Sequence, residues 1–278
     1  MEKLESTHSQ MHSLILTVHN KDFLLKTVLN NIKKFTSGNY ELIIVLDGCD
    51  DKSEEIAVSF SKKFNKNISI LYADNVFETK ANNIGLKHAR GDKVVIIQDD
   101  MVINEQDWNL RMEKPFGFSD VFAVTARTAH DWRYNPNSKH IYATENLDNC
   151  WCDILVHTNH ADKNSINRET FGIRSSVNRG PLMIDHDILS KLDYLDEDYS
   201  PQELDDHDLC YRAFKYFGKV AGCYWIDYVS DYSWGGTRKT GSVGSWLYEA
   251  NHKNMKLLYN RHKELILTED HNENRRLP

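Results

Sequence analysis

Short blocks of hydrophobic residues recur along the first hundred positions, separated by longer polar or mixed segments. Four apolar runs lie at residues 13–18, 41–46, 68–72 and 93–97. Their length and their lack of alternation are typical of strands that are buried on both faces of a sheet. We therefore predict four strands in this part of the chain.

The segments between these runs have the spacing of helices. Six hydrophobic residues after the first run share one helix face: Leu24, Leu25, Val28, Leu29, Ile32 and Phe35. Asn20 or Asp22 is suited to cap this helix. Two further helices are predicted at 53–64 and 78–90, and we expect Gly91 to close the second of them.

Strands that alternate with helices at this spacing predict a parallel sheet with right-handed crossovers. We expect an α/β protein with a Rossmann-like, mostly parallel central sheet flanked by helices. The 278 residues contain no internal repeat and no linker-like segment. We therefore expect one domain over residues 1–278.

The pattern after residue 100 is less regular. Strands are predicted at 120–126 and 219–226, and helices at 185–192, at 203–217 ending at Gly218, and at 245–267. Residues 128–174 are polar and give no clear assignment. Residues 230–245 hold four glycines and are predicted to be a mobile loop, and the polar tail from residue 268 is expected to be frayed.

Polar clusters follow three of the predicted strands, at 17–20, 47–51 and 98–100. Parallel sheets bind ligands beyond the carboxyl ends of their strands, so we expect these clusters to meet in one site. Asp99 and Asp100 would repel each other when buried, and a divalent cation with oxygen ligands, Mg²⁺ or Mn²⁺, would relieve that cost. A solvated turn is the alternative interpretation, and the pair Asp47-Gly48 is also typical of a turn.

Acidic residues are concentrated between residues 185 and 208, where ten carboxylates accompany one lysine. Helix capping and the helix dipole explain one or two of them. A crowded carboxylate in a cleft can serve instead as a general base.

Composition limits the partners and the location. The net charge of -7 argues against a nucleic-acid partner, because phosphate backbones require a basic face. Five scattered cysteines and a polar start, with no apolar stretch near 20 residues, predict a cytoplasmic protein whose membrane contact is at most peripheral. Cys150, Cys152, His157 and His160 superficially suggest zinc, but the Cys-x-Cys spacing is tighter than usual, and packed thiols with surface histidines are the favoured interpretation.

The motifs at the strand ends resemble those of the inverting, family-two glycosyltransferases with the A-type fold. Residues 14–20 are similar to the first strand and "P-T-Y-N" turn of that family, with Thr17 and Asn20 matching and His19 at a position where an aromatic is common. Residues 45–51 are similar to "V-D-D-G-S-x-D", and the resemblance implies that Asp47 binds the nucleobase. Residues 80–92 resemble "A-x-N-x-G-l-x-x-A-x-G-d", which places Lys80 and Asn83 in the donor site.

Further motifs cover the second half of the chain. Residues 98–100 stand at the Asp-x-Asp motif, with Gln98 in place of its first Asp. The resemblance implies that Asp100 binds the metal directly and that Asp99 lies at the donor. Residues 179–184 and 195–197 resemble the acceptor-side "G-x-x-x-x-R-r … G-F-D-E" stretch, which adds Arg179 and Gly180 to the donor site.

The resemblance also implies the remaining roles. Residues 205–212 look like "E-D-x-D-L-c-x-R", which makes Asp206 the catalytic base and places Asp205 beside the donor. Independently of the resemblance, Asp231 or a nearby His is a candidate for a further metal contact. Arg238 or Lys239, in the glycine-rich loop, is a candidate to bind the diphosphate after the loop closes. The expected division is a nucleotide-binding half (13–100), an acceptor and catalytic half (101–226) and a C-terminal loop and helix (227–278).

The expected activity is metal-dependent, inverting transfer of a sugar from a nucleotide-sugar to a hydroxyl of a carbohydrate or glycoconjugate acceptor. A UDP-linked donor is the favoured interpretation. The family implies a role in polysaccharide or glycoconjugate synthesis, at the inner membrane face or free in the cytoplasm. A sugar nucleotidyltransferase is one alternative, although residues 14–23 lack the glycine-rich phosphate loop of that class. A non-catalytic sugar-binding relative is another, supported by Gln98 and opposed by the retention of Asp100 and Asp206.

Overall fold

The four predicted strands lie side by side in one large sheet. A computed structural model describes residues 10–64, 67–134, 150–156, 167–235, 238, 241–268 and 272–277. The strands are β1 His12–Val18, β2 Tyr40–Asp47, β3 Asn67–Ala73, β4 Lys93–Gln98, β5 Val102–Ile103, β6 Val121–Thr125, β7 Thr128–Tyr134, β8 Cys150–Val156, β9 Thr170–Arg174, β10 Ser176–Val177, β11 Leu182–Asp185, β12 Val220–Cys223, β13 Tyr228–Val229 and β14 Glu273–Arg276. The α-helices are α1 Asp22–Phe35, α2 Ser53–Ser61, α3 Phe77–His88, α4 Trp108–Glu113, α5 His186–Lys191, α6 Asp205–Phe217 and α7 Gly241–Thr268, and short 3₁₀ helices occupy Lys114–Gly117, Glu197–Tyr199 and Tyr232–Trp234.

Nine of the described strands form the central sheet, in the order β14-β9-β12-β6-β11-β4-β1-β2-β3. The first four strands along the chain are parallel to one another. Strands β11 and β9 run in the opposite direction, whereas β6, β12 and β14 run with the majority. The predicted α/β fold with a mostly parallel sheet is confirmed.

Both faces of β1, β2 and β4 are covered, which explains their unbroken apolar runs. The third predicted strand, β3, is at the edge of the sheet and is only partly buried, so the expectation that it is buried on both faces was wrong. Alternate side chains of β1 point to opposite faces: Leu14 and Leu16 pack in the same cluster as the apolar face of α1, whereas Ile15 faces the other way. A Cβ atom added at Gly85 of α3 would stand 2.5 Å from Ile15 Cγ2. Glycine at this position therefore lets α3 lie close against the sheet.

Two predicted helix ends differ from the observed ones. Neither Asn20 nor Asp22 caps α1; Lys21 holds the cap position without a side-chain bond, and Asp51 accepts the Asp22 backbone N–H at 2.9 Å. Helix α3 ends at His88 because Ala89 is extended, so Gly91 does not close it. A Cβ atom at Gly91 would come within 2.6 Å of the Met11 carbonyl oxygen, so glycine there serves a close backbone approach.

The stretch that gave no clear assignment, 128–174, supplies strands. Strand β7 pairs with β8 and β10 in a small antiparallel sheet, and β9 joins the central sheet. The prediction of a frayed tail was wrong, because β14 pairs with β9 and Arg275 bonds Asp120 at 2.7 Å. Polar edge strands lack the hydrophobic pattern by which strands are recognised.

The predicted C-terminal helix is α7, and it is tied to the acidic segment by side chains. Asn254 donates to the carbonyl oxygens of Tyr199 and Gln202 at 2.7 and 2.8 Å. His262 Nε2 lies 2.8 Å from the buried carboxylate of Asp208 on α6. None of the helices in the described part of the chain is long and apolar enough to cross a bilayer.

Candidate active site

The carboxyl ends of β1, β2 and β4 open into a cavity of about 510 Å³. The polar clusters that follow these strands therefore meet, as the parallel topology requires. Eight predicted site residues line this catalytic cavity: Thr17, Asp47, Asp99, Asp100, Arg179, Asp206, Asp231 and Arg238.

Asp99 is held at the base of the cavity by protein groups. It accepts the His19 backbone N–H at 3.1 Å, and Lys21 Nζ lies 3.4 Å from its other oxygen. Burial raises the pKa of Asp99 to about 6, although the Lys21 charge opposes the shift. Lys21 is itself buried and donates to the Trp234 carbonyl at 2.6 Å, which connects the acid pair to the C-terminal segment.

Asp100 lines the cavity, and its Oδ1 is buried and has no hydrogen-bond partner. Burial also raises the pKa of Asp100, against the charges of Lys21 and Arg127. A buried carboxylate oxygen without a donor is costly, and a divalent cation is the kind of group that would satisfy it. The residue therefore fits the predicted metal contact.

Asp231 also lines the cavity, at the start of the 3₁₀ helix Tyr232–Trp234. One of its oxygens accepts from the Ser233 backbone N–H at 2.8 Å. Among the described residues, no group of three His, Cys, Asp or Glu side chains is arranged to hold a metal. Mg²⁺-type sites often use one or two carboxylates and complete the shell with water and substrate phosphates, and Asp100 with Asp231 fits that pattern.

Gln98 replaces an acid but still organises polar groups at the cavity. Its amide donates to Glu78 Oε1 at 3.1 Å and accepts from Arg127 at 3.1 Å. Both partners line the cavity. The neutral amide of Gln98 donates to the Glu78 carboxylate and accepts from the Arg127 guanidinium at the same time. An ionised carboxylate at this position could accept from Arg127 but would have no hydrogen to donate to Glu78.

Asp47 is almost fully buried and its carboxylate is already bonded. It accepts the backbone N–H groups of Val76 and Phe77 at 2.7 and 2.9 Å, at the start of α3. Arg238 donates to it at 2.6 Å and lies over the Phe77 ring, 4.5 Å from the centroid. The guanidinium therefore lies beside Asp47, at the position that the resemblance implies for the nucleobase.

Asp206 is the best-supported base in the cavity. Its Oδ2 accepts the Arg179 backbone N–H at 2.8 Å and its Oδ1 accepts the His207 N–H at 2.9 Å. Burial alone would raise the pKa of Asp206, but the Arg179 and His207 charges and these N–H groups outweigh it, and the pKa is lowered. The side chain is therefore ionised at neutral pH, the form that a carboxylate must have before it can act as a general base.

Five predicted donor-site residues do not line the cavity: Asn20, Lys80, Asn83, Gly180 and Asp205. Asn20 accepts the Asp50 N–H at 2.9 Å, and Lys80 is exposed. Asp205 is fully buried against the Arg179 guanidinium. At Gly180 the φ of 113° and the closeness of a Cβ atom to Met101 Cε (2.4 Å) leave no space for a side chain.

Asn83 joins α3 to the acidic segment (residues 185–208) through side-chain hydrogen bonds. Its amide donates to the Leu195 carbonyl at 2.8 Å and accepts the Leu195 N–H at 3.1 Å.

We expect Asn83→Ala to lower the free energy of unfolding by about 2–3 kcal/mol, because it leaves buried backbone groups unbonded. Urea denaturation measures this, with the exposed Lys80→Ala on the same helix expected to change it by less than about 0.5 kcal/mol. Unchanged stability together with a tenfold loss of UDP affinity would instead make Asn83 a donor contact.

Other cavity residues were not predicted: Lys21, Glu78, Arg127, Asn178, Gln202 and Glu203. Lys21 follows the Thr17–Asn20 cluster directly, so its position was an available signal. Arg127 and Asn178 had no such signal, because antiparallel pairing of β6 with β11 brings them to the cavity.

The zinc alternative involves His157 and His160, which lie outside the described residues. Cys49, Cys210 and Cys223 are free thiols. Burial raises the pKa of Cys210 and Cys49, so both thiols are protonated at neutral pH and are not nucleophiles.

The sequence profile of Glycosyl transferase family 2 matches residues 13–179, more than half of the 278 positions. The chain belongs to glycosyl transferase family 2. This confirms the resemblance drawn from the motifs.

Individual relatives agree with this family. Glycosyltransferase GlyG of Streptococcus pneumoniae is 30% identical over 98 residues, 35% of this chain and 32% of GlyG. GalNAc-T7, solved with UDP, GalNAc and Mn²⁺, superposes with a TM-score of 0.66 at 11% identity, covering 91% of this chain and 48% of GalNAc-T7. The mannosyltransferase PcManGT from Pyrobaculum calidifontis, solved with GDP-Man and Mn²⁺, superposes with a TM-score of 0.61 at 13% identity, covering 93% and 65%.

The structural likeness, at these low identities, shows the fold. It is the A-type glycosyltransferase fold predicted from the sequence, with a C-terminal helical extension. The chain spans less than two thirds of each of these three proteins.

Proposed function

We propose that this family-two glycosyltransferase moves a sugar from a nucleoside-diphosphate sugar to a hydroxyl of a carbohydrate or glycoconjugate, with inversion at the anomeric carbon. One observation carries the proposal. A single cavity holds a buried acid with an unbonded oxygen, Asp100, and a second, ionised acid, Asp206, bound to other elements. The first suits a cation and a diphosphate, and the second suits an incoming alcohol.

The cation site would use Asp100 and Asp231. A bound Mn²⁺ or Mg²⁺ would neutralise charge that develops on the departing diphosphate. Lys21 holds Asp99 beside this site, and Arg127 contributes positive charge toward Asp100. GalNAc-T7 and PcManGT were both solved with Mn²⁺, which supports a divalent cation here.

Asp206 would act as general base. It removes the proton of the acceptor hydroxyl while that oxygen forms a bond to the anomeric carbon. The bond from this carbon to the phosphate oxygen breaks in the same step, and the nucleoside diphosphate leaves with the electron pair. Attack opposite to the leaving group inverts the configuration.

The nucleoside end of the donor would lie near Asp47, Thr17 and His19. Arg238 lies over the Phe77 ring at this end. When the nucleobase binds, the ion pair between Arg238 and Asp47 must either remain beside it or be displaced by it. We place the uracil of a UDP-sugar here, following the motif resemblance and the UDP bound to GalNAc-T7.

The biological role proposed is synthesis of a polysaccharide or glycoconjugate. A cytoplasmic location with peripheral contact at the inner membrane face stays a prediction from composition and family. Residues 13–100 as the nucleotide half and 101–226 as the acceptor half also stay predictions.

A donor panel tests the proposal. UDP-glucose, UDP-galactose, UDP-N-acetylglucosamine, UDP-N-acetylgalactosamine and GDP-mannose would each be incubated with the protein and Mn²⁺, with EDTA as control. We expect at least one donor to release its free nucleoside diphosphate (UDP, or GDP from GDP-mannose) by slow transfer of the sugar to water, and we expect no release in EDTA. No release from any donor and no UDP binding would favour a non-catalytic relative, and formation of pyrophosphate from UTP and a sugar 1-phosphate would favour a nucleotidyltransferase.

A further inference from the structure

A second cavity lies next to the catalytic one and is formed largely by the start of α7. This α7 groove has a volume of about 550 Å³ and is lined by Gln202 and by residues of α7 that include Ser245, Tyr248, Glu249 and Asn251. Its volume falls in the range of about 300–1,000 Å³ that is usual for small-molecule sites. Gln202 also lines the first cavity, so this residue lies at the boundary between the two spaces.

The Gln202 side chain has an unused donor. The residue is 8% exposed, and its Nε2 is buried with no hydrogen-bond partner. Its backbone is fixed, because Asn254 of α7 donates to its carbonyl oxygen at 2.8 Å. A buried amide held in place and left without an acceptor is a costly arrangement, and a ligand hydroxyl between the two cavities would satisfy it.

The rest of the groove also suits a hydroxyl-rich ligand. Asn251 lines the groove, and its side-chain oxygen Oδ1 is buried without a hydrogen-bond partner. Tyr248 is 61% exposed there and presents a large aromatic surface, which can pack against the C–H face of a sugar ring. Planar amides supply both a donor and an acceptor for hydroxyl groups.

The charge of the residues that line the α7 groove limits the class of ligand that the groove can bind. Among the described residues that line the groove, Glu249 is the charged one. Phosphate groups are bound by Arg, Lys or helix N-termini, and a carboxylate repels them. The groove therefore favours a neutral glycan over a polyol-phosphate polymer.

We propose that the α7 groove is an acceptor subsite for a neutral oligosaccharide. The reacting hydroxyl enters the catalytic cavity at Asp206, Gln202 binds at the junction, and the next sugar units lie along Tyr248 and Asn251. This inference rests on the proposed function, and it makes the C-terminal extension a determinant of acceptor choice.

Saturation-transfer NMR and affinity titration test the subsite with cellotriose, maltotriose and chitotriose as neutral probes and a ribitol-phosphate oligomer as the anionic probe, all in the presence of UDP and Mn²⁺. We expect at least one neutral trisaccharide to bind and the anionic oligomer not to compete. Gln202→Met, which keeps the shape and removes the amide, and Tyr248→Ala should each weaken that binding by roughly threefold to tenfold. Tyr216→Ala, an equally exposed aromatic on α6, should leave it unchanged.

The outcomes separate the two proposals. If the native protein binds UDP but none of the neutral trisaccharides, or binds the anionic oligomer in preference, the subsite is wrong and the transferase proposal survives. Equal trisaccharide affinity in Gln202→Met, Tyr248→Ala and native protein also overturns the subsite. If UDP itself does not bind, it is the proposed function that fails.

Discussion

Replacing Asp206 with asparagine is expected to reduce the turnover of sugar transfer by about 10²–10⁴-fold, the usual contribution of a general base. The amide can still accept the Arg179 or His207 backbone N–H, so the local geometry should persist. Asp205 still pairs with the Arg179 guanidinium. Affinity for UDP should therefore stay within about threefold of the native value, because the interaction that is lost forms only with the acceptor. Initial rates and UDP titrations on the same preparation measure both quantities.

The control for this variant is Asp198→Asn. Asp198 lies in the same acidic segment, but it is exposed and pairs with Arg261. It should transfer sugar at the native rate. Normal turnover by Asp206→Asn would show that another group removes the proton.

Asp100→Ala should remove the metal-dependent part of UDP binding, a loss of at least about 100-fold in affinity when Mn²⁺ is present. With EDTA the variant and the native protein should bind UDP equally weakly. The stability of the metal-free protein should not fall. Burial raises the pKa of Asp100, so its ionised form is destabilising above that pKa, and removing it should hold or increase the free energy of unfolding.

Asp187→Ala is the matched surface control, since Asp187 is exposed on α5 and pairs with Lys191 at 2.5 Å. It should alter neither UDP affinity nor its dependence on metal. If Asp100→Ala keeps native metal dependence, the cation is bound elsewhere. A large loss of metal-free stability would mean that Asp100 has a structural role.

Three strands of the parallel half, β1, β2 and β4, were predictable because they are buried on both faces. The runs at 13–18, 41–46 and 93–97 are apolar without alternation, and their carboxyl ends had to meet once the strands were parallel. The positions of Asp47 and Asp100 after two of these strands were therefore enough to predict that both lie at the same edge of the sheet. Asp206 needed the family resemblance, because nothing in the spacing of ten acids distinguishes it from Asp205 or Asp208.

The second half could not be predicted in the same way. Strand β14 is polar, and it is recognisable only from its pairing with β9. Asn83 matched a donor-site motif, yet its bonds to Leu195 connect two parts of the backbone. Arg179 and Asp205 face each other only because the start of α6 is hydrogen-bonded to residues 178 and 179. Such contacts depend on tertiary packing, which local sequence patterns do not encode.

The central claim is that the acids of the cavity bind a nucleoside diphosphate through a cation. Calorimetric titration of UDP into the native protein, once with Mn²⁺ and once with EDTA, tests it most directly. We predict saturable binding with Mn²⁺ that becomes at least about 100-fold weaker in EDTA. Equal affinity in the two buffers, or no binding in either, would contradict it.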